Sequence, residues 1–169
     1  MRSIMPTPDR AVRDDGTPEY GVFRSPFPRV NIEDVRFRRV LQSSRLKEWH
    51  HIALIHPEVY VSLAAVDLKY VTATWVFVHN RTSGLSFEHE RKLPGRRLEL
   101  PAELWDARWE LDAGRGYKLA VRNHLNRGEH DLHIDVRRDG GRAEVQARLT
   151  LHEDLNRIHP LVAVLPLGT

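Results

Sequence analysis

Two runs of strict two-residue alternation, joined by a glycine pair, constrain this chain more than any other feature in it. Between Glu129 and Arg137, Leu132, Ile134 and Val136 alternate with Asp131, His133, Asp135 and Arg137. Between Arg142 and His152, Ala143, Val145, Ala147, Leu149 and Leu151 alternate with Arg142, Glu144, Gln146, Arg148 and Thr150. Successive side chains on a strand point to opposite faces, so each run predicts a strand with one wet and one buried face. The intervening Arg138-Asp139-Gly140-Gly141 supplies the positive φ that a tight hairpin turn needs. An antiparallel hairpin follows, and with it an all-β fold.

The rest of the chain agrees with that class. Val59 to Leu68 and Val71 to Val78 are rich in β-branched and aromatic residues, and the second has apolar residues at both parities. That pattern predicts a central strand buried on both faces. Asn80-Arg81-Thr82-Ser83-Gly84 reads as a hairpin loop returning into Leu85 to Arg91, and Ala107 to Leu111 and Tyr117 to Val121 read as two more strands. Pro101 to Trp105 suits a single helical turn, and Ile32 to Leu46 is the one place for a longer helix. Residues 1–30 hold five of the ten prolines and read as an extended arm whose Tyr20, Phe23 and Phe27 can dock on a β domain spanning 31–169. Short strands separated by turns favour an antiparallel sandwich or partial barrel. The apolar run Leu161 to Leu167 predicts a last strand, and so little chain follows it that a pairing partner outside this sequence is expected.

Composition removes whole classes of chemistry. The 169 residues suit one ordinary domain. Without cysteine there is no disulfide, thiolate metal site or cysteine nucleophile, and a cytoplasmic location is expected. No apolar run approaches the ~20 residues of a membrane-spanning helix. The net charge of +3 is too small to imply a polyanion, and Arg36-x-Arg38-Arg39 with Phe37, or Arg96-Arg97, reads as solvated surface, so no nucleic acid is expected. No Gly-x-Ser-x-Gly elbow or phosphate-binding glycine loop occurs. Asn80-Arg81-Thr82 matches the glycosylation pattern, which matters only in a secreted chain.

Ten histidines are many, yet their spacing is poor for chelation. His50 and His51 point to opposite strand faces, as do His130 and His133, so neither pair can share a metal, and no metal or cofactor is expected. Glu88 and Glu90 around His89 suit a solvated face. Asp67 is the carboxylate to watch, because it shares a strand face with Val59, Val61, Leu63 and Ala65. Buried there, it must either pair, with Lys69 the nearest cation, or hold its proton and serve as an acid. Trp49, Tyr60, Tyr70, Trp75 and Phe77 are either core or the lining of an apolar cavity.

Lys47-Glu48-Trp49-His50-His51, then Ile55 through Tyr70 with Asp67-Leu68-Lys69-Tyr70 at its end, then Trp75 to Val78 and Arg81-Thr82-Ser83-Gly84 form an ordered series. A Lys-x-Trp, an aliphatic-aromatic strand, an Asp-x-x-Tyr and a strand ending in a polar-Arg-x-x-Gly turn resemble the family known as domain of unknown function 2804. The resemblance is strongest over about residues 45–95 and departs at Asn80, where the family pattern is often acidic. It implies that the chain corresponds to the first half of a longer fold. It also implies a lipocalin-like relation to carotenoid hydratases and tocopherol cyclases, and a hydrophobic cavity. The expected function is binding of an apolar small molecule by Trp49, Tyr70 and Trp75. The alternatives are a hydratase- or cyclase-like enzyme with Asp67 as proton donor to an isoprenoid-type substrate, and a non-catalytic interaction module.

Overall fold

In the computed structural model, residues 3–36, 46–103, 105–137, 143–157 and 161–165 are described. Among them the regular structure is strand, with two single 3-10 turns at Ile32–Asp34 and Leu125–Arg127. The chain divides into two compact units, Leu41–Leu100, and Met1–Val40 with Pro101–Thr169.

The unit 41–100 is one antiparallel sheet of four strands. In chain order they are β3 (Glu48–Ile55), β4 (Val59–Asp67), β5 (Val71–Asn80) and β6 (Ser86–Pro94), and their order in the sheet is the same. β1 (Ile4–Met5) and β2 (Gly21–Phe23) belong to the other unit. β5 is central, as its composition predicts, but only one of its faces is fully covered. Thr72, Thr74 and Val76 are buried, whereas Ala73, Trp75 and Phe77 are half-buried. The outward apolar residues stack on one another, so a strand apolar at both parities does not become a strand buried on both sides. The predicted loop from Asn80 to Gly84 joins β5 to β6, with the Asn80 side-chain oxygen accepting from the backbone N–H groups of Thr82 and Ser83, both at 2.9 Å.

The second unit carries β7 (Asp106–Asp112), β8 (Tyr117–His124), β9 (Glu129–Arg137) and β10 (Ala143–His152) in an antiparallel sheet ordered β10-β9-β8-β7. The hairpin read from the alternation is β9 with β10, in register from Val145↔Val136 to His152↔Glu129. Its turn, 138–142, lies outside the described residues. The buried face is built from Trp109, Leu119, Val121, Leu132, Ile134 and Val136, none more than 4% exposed.

The same unit holds a small mixed sheet of β1 (Ile4–Met5), β2 (Gly21–Phe23) and β11 (Val162–Val164), in which β2 is central and β1 runs parallel to it. Phe23 and Phe27 meet edge to face at 5.0 Å and are buried with Ala11 among Met5, Val30, Val162 and Val164, while Tyr20 stays exposed. The buried Asn31 side chain substitutes for a strand neighbour, accepting from the Val12 N–H and donating to the Val12 carbonyl, each at 3.0 Å.

Three local expectations meet the structure as follows. The C-terminal run is taken up in the chain's own small sheet, where β11 pairs with β2 and forms an edge. Residues around Pro101 form a bend rather than a helical turn, and the Ala102 carbonyl accepts from Val30 N–H instead of closing a local ring; Leu104 is outside the described residues. Of the helix considered over Ile32 to Leu46 only the 3-10 turn is present before residue 37, and 37–45 are not described.

Candidate functional site

The three-residue connection from β4 to β5, Leu68-Lys69-Tyr70, places Lys69 at φ +73°, with Leu68 N–H donating to the Val71 carbonyl at 2.9 Å. A hairpin turn with positive φ at its first central residue normally takes glycine, since a side chain there costs about 1–2 kcal/mol. What the lysine supplies is visible at its tip. Its ammonium donates to Asp67 Oδ2 at 2.9 Å and to the Glu48 carboxylate, while its backbone N–H donates to Asp67 Oδ1 at 2.7 Å.

Asp67 is fully buried, and Arg96 Nε also donates to it at 2.9 Å. Burial pushes the carboxyl up, but the bonds from Lys69 and the charges of Lys69 and Arg96 outweigh it and hold the group below the ordinary carboxylate range. Burial likewise lowers the Lys69 ammonium, and its bonds to Glu48 and Asp67 more than reverse the effect. Thr72 joins the knot, its hydroxyl accepting from Arg97 N–H at 2.8 Å. This arrangement suits a fixed anion; a general acid needs surroundings that keep its proton on. Of the two arginines read as solvated, Arg96 is thus committed to Asp67, while Arg97 Nε donates to the Pro94 carbonyl at 3.3 Å; Phe37, Arg38 and Arg39 lie outside the described residues.

Trp49 and Trp75 lie on the other, outward face of the same sheet. Register gives the rows: Trp49, Val66 and Ala73 in one, His51, Ala64 and Trp75 in the next, and Ala53, Ser62 and Phe77 beyond. The two tryptophans therefore stand two strands apart, about 10 Å, above a floor of Ala64, Val66 and Ala73. Trp75 stacks on Phe77 (centroids 5.9 Å, planes 12° apart), Phe77 meets Tyr60 at 5.9 Å, and Trp75 Nε1 donates to Glu88 Oε1 at 2.9 Å. Trp49 is 71% exposed, and Tyr70, in the turn after Lys69, is 59% exposed. Trp49 and Trp75 thus share an open ledge on this face, and Tyr70 is exposed in the adjoining turn.

Under this ledge sits a pair the sequence did not announce. His51 Nε2 and Ser62 Oγ are 2.9 Å apart, on neighbouring strands. Ser62 is fully buried, which withholds its hydroxyl from any substrate and leaves it as a tie between β3 and β4. Among the described residues no three His, Asp or Glu side chains are placed to share a metal ion. No described helix is long and apolar enough to cross a membrane.

The motifs quoted above now fall into place, since Trp49, Asp67-Leu68-Lys69-Tyr70 and the Arg81-to-Gly84 turn all belong to this one sheet. A family model for domain of unknown function 2804 matches residues 4–168, nearly the whole chain. The chain belongs to the domain of unknown function 2804 family. Comparison with curated proteins and with solved structures gives no match. In this member of the domain of unknown function 2804 family, the Asp-x-x-Tyr segment is the hairpin turn that carries the buried ion knot, with Tyr70 left outward.

Proposed function

We propose that the outward face of β3–β6 binds an apolar small molecule between Trp49 and Trp75. The observation that carries this reading is the exposure of Trp49 on the same face as a stacked Trp75–Phe77 pair, over a floor of alanine and valine. A large aromatic left in water forfeits about 25 cal/mol for each Å² a ligand could cover, so covering most of Trp49 alone is worth roughly 3–4 kcal/mol before ordering costs. The polar groups near the ledge are engaged with one another, Trp75 with Glu88 and His51 with Ser62, which favours an apolar ligand over one that needs hydrogen-bond partners.

The hydratase- or cyclase-like alternative draws less support, because it asks Asp67 to hold a proton that Lys69 and Arg96 disfavour. The binding reading is tested by organic extraction and mass spectrometry of the purified protein, together with titration of the neutral fluorescent probe N-phenyl-1-naphthylamine. Saturable probe enhancement that falls severalfold in Trp75→Leu and in Trp49→Ser supports it. An empty extract with no saturable enhancement overturns it.

A further inference from the structure

The outward face of the β7–β10 sheet holds a groove of about 370 Å³ whose lining includes Arg108, Arg122, His133 and Arg148 around Ala120. Strand pairing explains the convergence. Arg108, Arg122, Asp131 and Thr150 form one row across the four strands, and Glu110, Ala120, His133 and Arg148 form the next. The small Ala120 side chain opens the floor at the centre of these long ones.

The charges are not balanced within the groove. Outside the lining, Glu110 pairs with Arg108 at 3.0 Å and Asp106 pairs more loosely with Arg122 at 3.6 Å. No described acid pairs with Arg148. Asp131 stands among the cations and accepts the Thr150 hydroxyl at 2.8 Å. The lining itself carries three guanidiniums and one carboxylate; Arg108 and Arg122 stand on neighbouring strands about 4.8 Å apart, and Arg148 stands two strands beyond Arg122, so that fork-shaped donors face the groove from both sides. Like charges set side by side on a sheet repel unless an anion comes between them. Within the lining the cations gather around the low floor at Ala120.

We propose that this groove binds a compact oxyanion of the phosphate-monoester class. Guanidinium forks match the tetrahedral oxygens of phosphate in paired bonds, and His133 adds a donor. The site belongs to a different sheet from the aromatic ledge and stands or falls independently of it.

The test uses the full chain and inorganic phosphate as the probe, followed by backbone-amide NMR at constant ionic strength with sulfate and chloride in parallel. Saturable shifts centred on Ala120 and His133 are expected. Arg122→Gln and Arg148→Gln should each weaken binding about tenfold or more, and Asp131→Asn should tighten it, whereas Arg157→Gln, an exposed charge elsewhere, should leave it unchanged. All four positions are solvent-facing, so the variants keep the fold, which circular dichroism verifies. Non-saturating shifts, or equal losses in Arg157→Gln and the groove variants, overturn the proposal. Tighter binding of a short single-stranded oligonucleotide than of phosphate also overturns it, in favour of a polyanion.

Discussion

Replacing Asp67 by Asn removes one charge from the most buried ion pair among the described residues. The Asn side chain can still accept from the Lys69 backbone N–H, so the loss falls on the Lys69 ammonium and on Arg96. The Arg96 side chain is 47% exposed and can turn to water, which leaves little of its share to lose. The Lys69 side chain is 15% exposed and keeps only Glu48. Cutting one partner from a buried pair costs about 3–5 kcal/mol, and the retained acceptor recovers part of it, so Asp67→Asn should cost about 2 kcal/mol and Asp67→Ala about 3–4 kcal/mol. In urea, with a slope of roughly 1–3 kcal/mol per molar, the midpoint for Asn moves down by about 1 M. Tryptophan fluorescence reads it, since Trp49 and Trp75 both lie in the affected unit. The pH dependence has a defined sign. The folded carboxyl sits below its unfolded value of about 3.9, so its stabilisation is present above that value and is lost as pH falls through the folded one. The gap between wild type and Asp67→Asn should therefore close on acidification. A cost below about 0.5 kcal/mol at neutral pH, or a gap that widens in acid, would refute the reasoning.

Further substitutions probe the packing around the two candidate sites. Leu119→Ala empties a fully buried position in the centre of the β7–β10 sheet and should cost about 2–5 kcal/mol by denaturant unfolding. Gly128 and Gly95 both sit at positive φ, but a Cβ on Gly128 would stand 2.6 Å from the Glu153 carbonyl oxygen while one on Gly95 meets nothing within 4 Å. Gly128→Ala should therefore cost clearly more than the roughly 1–2 kcal/mol of Gly95→Ala in the same unfolding assay. Ser62→Ala should cost only about 1 kcal/mol, because the exposed His51 it releases can bond to water instead; a change in probe binding as large as that of Trp75→Leu would show that the pair does more than tie two strands.

The parts of the fold legible in the sequence were those fixed by local periodicity. The alternation of Leu132, Ile134 and Val136 against Asp131, His133 and Asp135 predicts β9 because burial on one face demands that pattern. Asp67 could be singled out as buried and paired with Lys69, since both lie at one strand end. Its second partner could not, because Arg96 is 29 residues away and arrives only through the return of β6. The positive φ of Lys69 was hidden for another reason: the turn takes a residue that its backbone disfavours, and that residue's side chain reaches Asp67 and Glu48. The openness of the aromatic ledge was equally invisible. Apolar residues at both parities of β5 signal burial, and only the assembled sheet shows Trp75 covering Phe77 while Trp49 stays in water. In the first 30 residues proline density reads as an arm, yet Gly21–Phe23 falls between Pro18 and Pro26 and is free to pair on both edges.

The most direct test of the binding face is paramagnetic broadening of backbone amides by a spin-labelled fatty acid with its label mid-chain, titrated against the full chain. The ledge predicts saturable broadening at Trp49, Ala64, Val66, Ala73 and Trp75, relieved by an unlabelled competitor and abolished in Trp75→Leu. Broadening centred on β7–β10, or spread evenly over exposed apolar residues such as Leu85 and Leu161 without saturation, would contradict it.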